Sequence, residues 1–146
     1  MLSFIKKLFR NPTADWPRSV SDPVLGELRL DDDAQWQGRT TVGGRSIAFT
    51  IGGRGRPDAR LIAHAHDIVR SLPEFEQSVT AFLADEARKV KHLAEVADEI
   101  RQLAIEDVCL FWPDRPDDGM IYFKGPDEFR LWRCDLCWAE TAGTGV

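Results

Sequence analysis

Cys134 and Cys137 form a C-x-x-C pair, His64 and His66 stand two residues apart, and Asp114, Asp117, Asp118 and Gly119 crowd one short loop. Each group suggests a chemistry: thiol redox or zinc ligation, an imidazole acid–base or metal site, and calcium binding. Spacing argues against all three. Residues three apart in an extended strand point to opposite faces, and no second Cys/His pair stands at zinc-ligand spacing. A thioredoxin-type pair opens a helix after a strand, whereas this pair lies inside a strand pattern. The histidines fall in a helical pattern, where a separation of two turns their side chains about 200° apart, so they flank the apolar stripe and cannot share an ion. The aspartates lack the alternating D-x-D-x-D-G order, and Pro113 and Pro116 stiffen the segment, so turn formation accounts for them. No Ser-His or Cys-His arrangement accompanies these carboxylates. Gly52-Gly53-Arg54-Gly55-Arg56 lacks both the P-loop Lys-Ser/Thr ending and the dinucleotide fingerprint, and reads as a connector. No catalytic or metal-binding residue is assigned, and no cofactor is expected.

The stretch Asp107 to Glu140 has a different character, gathering three of the five Trp and all three Cys. Its aromatic and charged residues interleave as Phe129-Arg130-Leu131-Trp132-Arg133, and a period of two places Trp132 with Arg130 on one face. Trp and Arg are the side chains most enriched at binding hot spots, although aromatics in strands also serve as core. Together with the acidic loop, these residues define an expected partner surface of Trp112, Asp114, Asp117, Asp118, Arg130 and Trp132.

The elements that must position this surface follow from periodicity. A loop from Asn11 to Pro23 precedes a strand in which Val24, Leu28 and Leu30 alternate with Leu25, Glu27 and Arg29, and Asp31-Asp32-Asp33 ends it. Trp36 to Val42 and Arg45 to Ile51 flank Gly43-Gly44, a two-residue hairpin signal. Pairing Val42 with Arg45 sets Thr40 opposite Ile47, Gly38 opposite Phe49 and Trp36 opposite Ile51, so Phe49 is expected to cover the bare glycine. Leu61, Ile62, Ala65, Ile68, Val69 and Leu72 form a helical stripe that starts at Pro57. Pro73 restarts the chain, and Phe75, Val79, Phe82, Leu83, Ala87 and Val90 build a second helix with a break near Arg88 to His92. Leu93, Val96, Ala97, Ile100 and Leu103 continue at helical spacing on a rotated face. Strands are then expected at Val108 to Trp112, Met120 to Lys124 and Phe129 to Trp138. The expected fold is α+β: an antiparallel sheet of about six strands, three N-terminal and three C-terminal, with two or three helices packed on one face.

With 146 residues, 43% of them apolar, the chain suits one domain. The expected organisation is an N-terminal amphipathic segment and linker over 1–21, a single domain over 22–140 and a flexible tail over 141–146. The net charge of −5 is graded: residues 1–57 hold 9 basic and 6 acidic side chains, 58–105 hold 6 and 9, and 106–146 hold 4 and 9. Phosphate binding needs a concentrated basic face, so nucleic acid is not the expected partner. Three cysteines cannot all pair within one chain and no apolar run is long enough for a membrane span, so a reduced, cytoplasmic protein is expected. In MLSFIKKLFR, Leu2, Ile5, Leu8 and Phe9 share one helical side flanked by Lys6, Lys7 and Arg10, which suits docking on the domain itself or weak peripheral membrane contact through residues 1–10.

Asp22-Pro23-Val24-Leu25-Gly26-Glu27-Leu28, Trp36-Gln37-Gly38 before a hairpin, Phe111-Trp112-Pro113-Asp114 and Leu131-Trp132-Arg133-Cys134-Asp135 together resemble a family of small bacterial proteins known only as a domain of unknown function. The resemblance covers nearly the whole chain from about Asp22. It implies no chemistry, because that family brings no catalytic residues with it. Some similar α+β domains are immunity proteins encoded beside bacterial toxins. The expected function is accordingly a non-enzymatic binding domain, of immunity type, that occludes a protein partner. The alternative is a small-ligand-binding or hydrolytic domain using a cleft between the C-terminal meander and the helices, with His64 or His66 and the loop carboxylates. A homo-oligomer formed through an edge strand or the N-terminal segment is a third reading.

Overall fold

A computed structural model describes residues 12–128 and 130–137 of the chain. The amphipathic segment expected over 1–10 and the tail expected over 141–146 lie outside the described residues, as do Phe129, Trp138 and the side chain of Cys137. Seven strands form one sheet in sequence order: β1 (Ser19–Asp22), β2 (Gly26–Leu30), β3 (Trp36–Val42), β4 (Arg45–Ile51), β5 (Ala104–Leu110), β6 (Asp118–Lys124) and β7 (Trp132–Cys137). Between β4 and β5 run α1 (Ala59–Arg70), α2 (Leu72–Arg88), a 3-10 turn (Ala94–Val96) and the single-turn α3 (Ala97–Ile100). The class is α+β, with a mostly antiparallel sheet and three α-helices among the described residues.

Two features depart from the sequence expectation. The N-terminal half has four strands rather than three, because Ser19–Asp22 pairs antiparallel with β2 through Ser19 opposite Arg29 and Asp22 opposite Gly26. Ser-Val-Ser-Asp has little β-propensity and sits in a Pro-rich stretch, so only its pairing with β2 makes it a strand. The second departure is the join between halves: β4 and β5 pair parallel, with Phe49 opposite Val108 and Ile51 opposite Leu110. The helical crossover carries the chain from the end of the sheet where β4 finishes back to the end where β4 begins, so β5 runs parallel to it.

The β3–β4 register is as expected, from Val42 opposite Arg45 to Trp36 opposite Ile51. Gly43 and Gly44 have φ of 58° and 79°, as a type I′ turn requires. Phe49 stands opposite Gly38, and Leu28 presses closest on it: a β-carbon built there would lie 2.5 Å from the Leu28 Cδ2. The expected helix break is also present, since α2 ends at Arg88 and the chain turns before Ala94. Strand ends shift by two to four residues in the C-terminal half, where β5 starts at Ala104 and β7 at Trp132.

Alternation along the strands sends Trp36, Ile47, Phe49, Ile51, Val108, Leu110, Ile121 and Phe123 into one core with Leu61, Ala65 and Ile68 of α1 and Leu72, Phe75 and Val79 of α2. Trp16 stacks on the fully buried Trp36 with centroids 5.3 Å apart and planes 8° from parallel, so the segment before β1 is packed as well. Glu76 of α2 joins the two halves of the sheet. Its Oε2 accepts from Arg45 Nη2 at 2.8 Å and from the backbone N–H of Ile105 at 2.8 Å, beside the β-bulge between Ile105 and Asp107. At the end of the β4–β5 pair, Gly52 donates its N–H to the Leu110 carbonyl at 2.8 Å. A β-carbon there would lie 2.3 Å from the Phe111 carbonyl oxygen, so any side chain would push the connector off the sheet.

Candidate functional site

α1 positions both histidines. Asp58 caps it by accepting from the N–H of Arg60 at 2.9 Å and of Leu61 at 3.3 Å, and the buried stripe Leu61, Ala65, Ile68 fixes the helix's rotation. The histidines therefore emerge on opposite flanks, one paired with Asp22 of β1 and the other within the charge field of Asp117 in the β5–β6 loop.

On the first flank, His66 Nε2 lies 2.9 Å from Asp22 Oδ1 and 3.0 Å from Oδ2. Asp22 ends β1, and its Oδ1 also accepts from the N–H of Val24 at 2.8 Å and of Leu25 at 2.7 Å, which folds the β1–β2 turn around the carboxylate. Burial alone would raise the Asp22 pKa. The Leu25 and Val24 amides, then the hydrogen bond and charge of His66, outweigh it and hold the carboxyl below its ordinary value. Beside the pair opens a cleft of about 460 Å³ lined among others by Pro17, Val20, Asp22, Leu28, Arg56 and Ile62. The His66 imidazole does not line it. With both oxygens of Asp22 accepting hydrogen bonds and the ring set back, the pair ties the first hairpin to α1.

On the second flank, burial pushes the His64 pKa down, and the negative charges of Asp117 and Asp67 offset this only in part. Asp117 belongs to the β5–β6 loop, which holds three of the expected surface residues, with Asp118 opening β6 beside it. Trp112 is 39% exposed, and Phe111 meets it edge-on at 5.6 Å and 74°. The Arg115 guanidinium lies 4.9 Å from the Trp112 ring centroid, and its Nη1 is 3.2 Å from Asp118 Oδ2. Two successive backbone bonds, Arg115 N–H to Trp112 O at 2.9 Å and Asp118 N–H to Arg115 O at 3.0 Å, fix the loop. Asp114 and Asp117 are exposed, while Asp118 is half-buried. Among the described residues no three His, Cys, Asp or Glu side chains gather as a metal site would require.

Arg130 and Trp132 do not join this group. β6 runs from Asp118, opposite Cys137, to Phe123, opposite Trp132, so Trp132 stands at the far end of the meander from the β5–β6 loop. Trp132 packs against the core and over Gly125, whose β-carbon would meet its Nε1 at 3.3 Å. The Arg130 guanidinium lies 5.7 Å from the Trp132 centroid, with Nη1 2.5 Å from Glu99 Oε2 of α3, so this pair secures β7 to the helices. The expected six-residue surface divides into an exposed loop and a packed seam.

The thiols are chemically quiet. Burial, with the Asp107 charge adding to it, pushes the Cys109 pKa up to about 12, and burial also raises that of Cys134. Both are free and buried.

Reasoning from sequence missed the Asp22–His66 pair, the edge strand β1 and the cleft behind it. The only local signal was Asp22-Pro23, which reads as a turn; the imidazole that completes the pair is 44 residues away. No helix among the described residues is long and apolar enough to cross a membrane. Comparison with protein-family models, with curated proteins and with solved structures gave no match.

Proposed function

We propose that this chain is a non-enzymatic, cytoplasmic binding domain of the immunity type, which occludes a protein partner with its β5–β6 loop. One observation carries the reading: Trp112 is held exposed by Arg115 and Phe111, with the carboxylates of Asp114 and Asp117 exposed beside it. A large rigid aromatic in a polar, charged rim is the usual anchor of a binding hot spot. The surplus of acid after residue 105, 9 side chains against 4, suits a partner with a basic face.

The test is capture of a partner by the wild-type chain and by Trp112→Ala and Asp114→Lys/Asp117→Lys variants of unchanged thermal stability. A partner retained equally by all three would sink the reading; loss in both variants supports it.

A second reading, a small-ligand or hydrolytic site, shifts from the expected cleft between the C-terminal meander and the helices to the cleft beside Asp22 and His66 at the N-terminal hairpin. An imidazole whose Nε2 is engaged and which does not line the cleft weighs against the hydrolytic form. Asp22→Asn and His66→Gln should change stability, whereas a catalytic pair would show itself by a pH-dependent turnover lost in both.

A further inference from the structure

β1 is the outer strand of the sheet on its N-terminal side, since its only strand partner among the described residues is β2. Its hydrogen bonding shows which groups have no partner among the described residues. The Arg18 carbonyl accepts from the Leu30 N–H at 2.9 Å, which makes Arg18 opposite Leu30 a hydrogen-bonded pair. In an antiparallel ladder such pairs alternate, so Val20 and Asp22 also face β2, and the N–H and C=O of Ser19 and Ser21 point outward. Four main-chain groups at two-residue spacing are the template to which one further strand adds.

The edge is not flush with open solvent. Ser19 and Ser21 are themselves part of the wall of the 460 Å³ cleft, whose floor is Val20, Leu28 and Ile62 of α1. An edge strand with an adjoining helix and a cleft of mixed polar and apolar lining between them is the geometry that receives an extended peptide: its backbone pairs with the strand and alternate side chains enter the cleft. The charges choose the peptide. The cleft has two charged lining groups, Asp22 and Arg56. Asp22 is already satisfied by His66 and two amides. Arg56 is exposed and no ion pair with a described residue holds it. Arg18, next to the strand, and Arg54, in the connector above it, are exposed as well. The open charge is therefore positive.

We propose that β1 is a strand-addition site for an extended acidic segment of a partner protein. The segment hydrogen-bonds to Ser19 and Ser21, sets an apolar side chain over Val20 and Ile62, and places a carboxylate against Arg56. This contact is separate from the β5–β6 loop and stands whether or not the loop binds anything.

The experiment uses the full chain and fluorescein-labelled ten-residue peptides, one alternating valine with glutamate and one alternating valine with lysine, read by fluorescence anisotropy. The glutamate peptide should bind about tenfold or more tighter than the lysine peptide, and Arg56→Glu should reverse that order. Ser21→Pro removes one outward N–H at a position where an edge strand tolerates proline, and should abolish binding with the fold intact by circular dichroism. If that variant fails to fold, a glutamate peptide N-methylated at every second residue, in both registers, supplies the same information by losing affinity. Trp112→Ala should leave peptide binding unchanged, which separates this site from the loop. Absence of binding, equal binding of the two peptides, or full binding by Ser21→Pro or by both N-methylated peptides overturns the proposal. A dimer of the chain, seen in sedimentation and lost in Ser21→Pro, overturns it too, because a second copy would then occupy the edge.

Discussion

The two flanks of α1 place a histidine near an aspartate twice over, and the outcomes differ. At the first hairpin, Asp22 and His66 are in direct hydrogen-bond contact, and two backbone amides reinforce the carboxylate. Beneath the β5–β6 loop, His64 is governed by burial, with Asp117 and Asp67 acting through charge. The first arrangement stabilises an ionised carboxylate inside the fold, and the second disfavours the charged form of an imidazole. Like residue types thus yield a rivet on one side and an imidazole governed by burial on the other. The regions they support differ in kind as well: an edge strand with an open positive charge, and a loop with an exposed tryptophan and exposed carboxylates.

The comparison depends first on the stripe that holds both flanks. Leu61 is fully buried, so Leu61→Ala should cost about 2–5 kcal/mol in urea unfolding and loosen both flanks together. Hydrogen exchange that opened only one flank would break the symmetry assumed here. Next in size is Asp22→Ala, which leaves the Val24 and Leu25 amides and the His66 ring without their acceptor and should cost about 1–3 kcal/mol. A double-mutant cycle with His66→Ala should show clear coupling, and none with His64→Ala.

pH separates the flanks further. Asp22 has a folded pKa below its unfolded value, so its contribution is complete above about pH 4 and is lost as pH falls through the folded value. His64 also has a lowered folded pKa, but for a base this means that the unfolded chain binds the proton more readily. Stability should therefore decline as pH falls through about 6.5, and His64→Gln should remove that part of the slope in pH-dependent thermal unfolding. A wild-type slope unchanged by His64→Gln would contradict the burial argument. The smallest stability effect belongs to Trp112→Ala, about 1 kcal/mol or less, because the ring is 39% exposed and its cation–π contact with Arg115 is at the surface. A larger loss in calorimetry would mean that the tryptophan serves the core, and the loop reading would fall with it.

Local patterns carried a good part of the fold. Gly43-Gly44 between alternating strands determined a register that can be read residue by residue, and the stripe Leu61, Ala65, Ile68 set the helix face and so the divergence of His64 and His66. The limits of sequence reading lie where partners are remote. Ser19–Asp22 is polar and short, and it becomes a strand only because Gly26–Leu30 lies beside it. Trp112 and Trp132 look alike in sequence, each an aromatic beside charge. The strands between them carry one to the exposed loop and pack the other against Gly125 and the core.

The sequence by itself determined the α+β class, the β3–β4 hairpin, the helix break after Arg88 and the separation of the two histidines, since each follows from φ preferences and periodicity within a few residues. Only the tertiary structure decided the parallel join of the two halves, the pairing of Asp22 with His66, the splitting of the aromatic surface and the open edge at Ser19 and Ser21. Those depend on contacts between distant segments, which form when apolar surface is buried and leave no trace in the local order of residues.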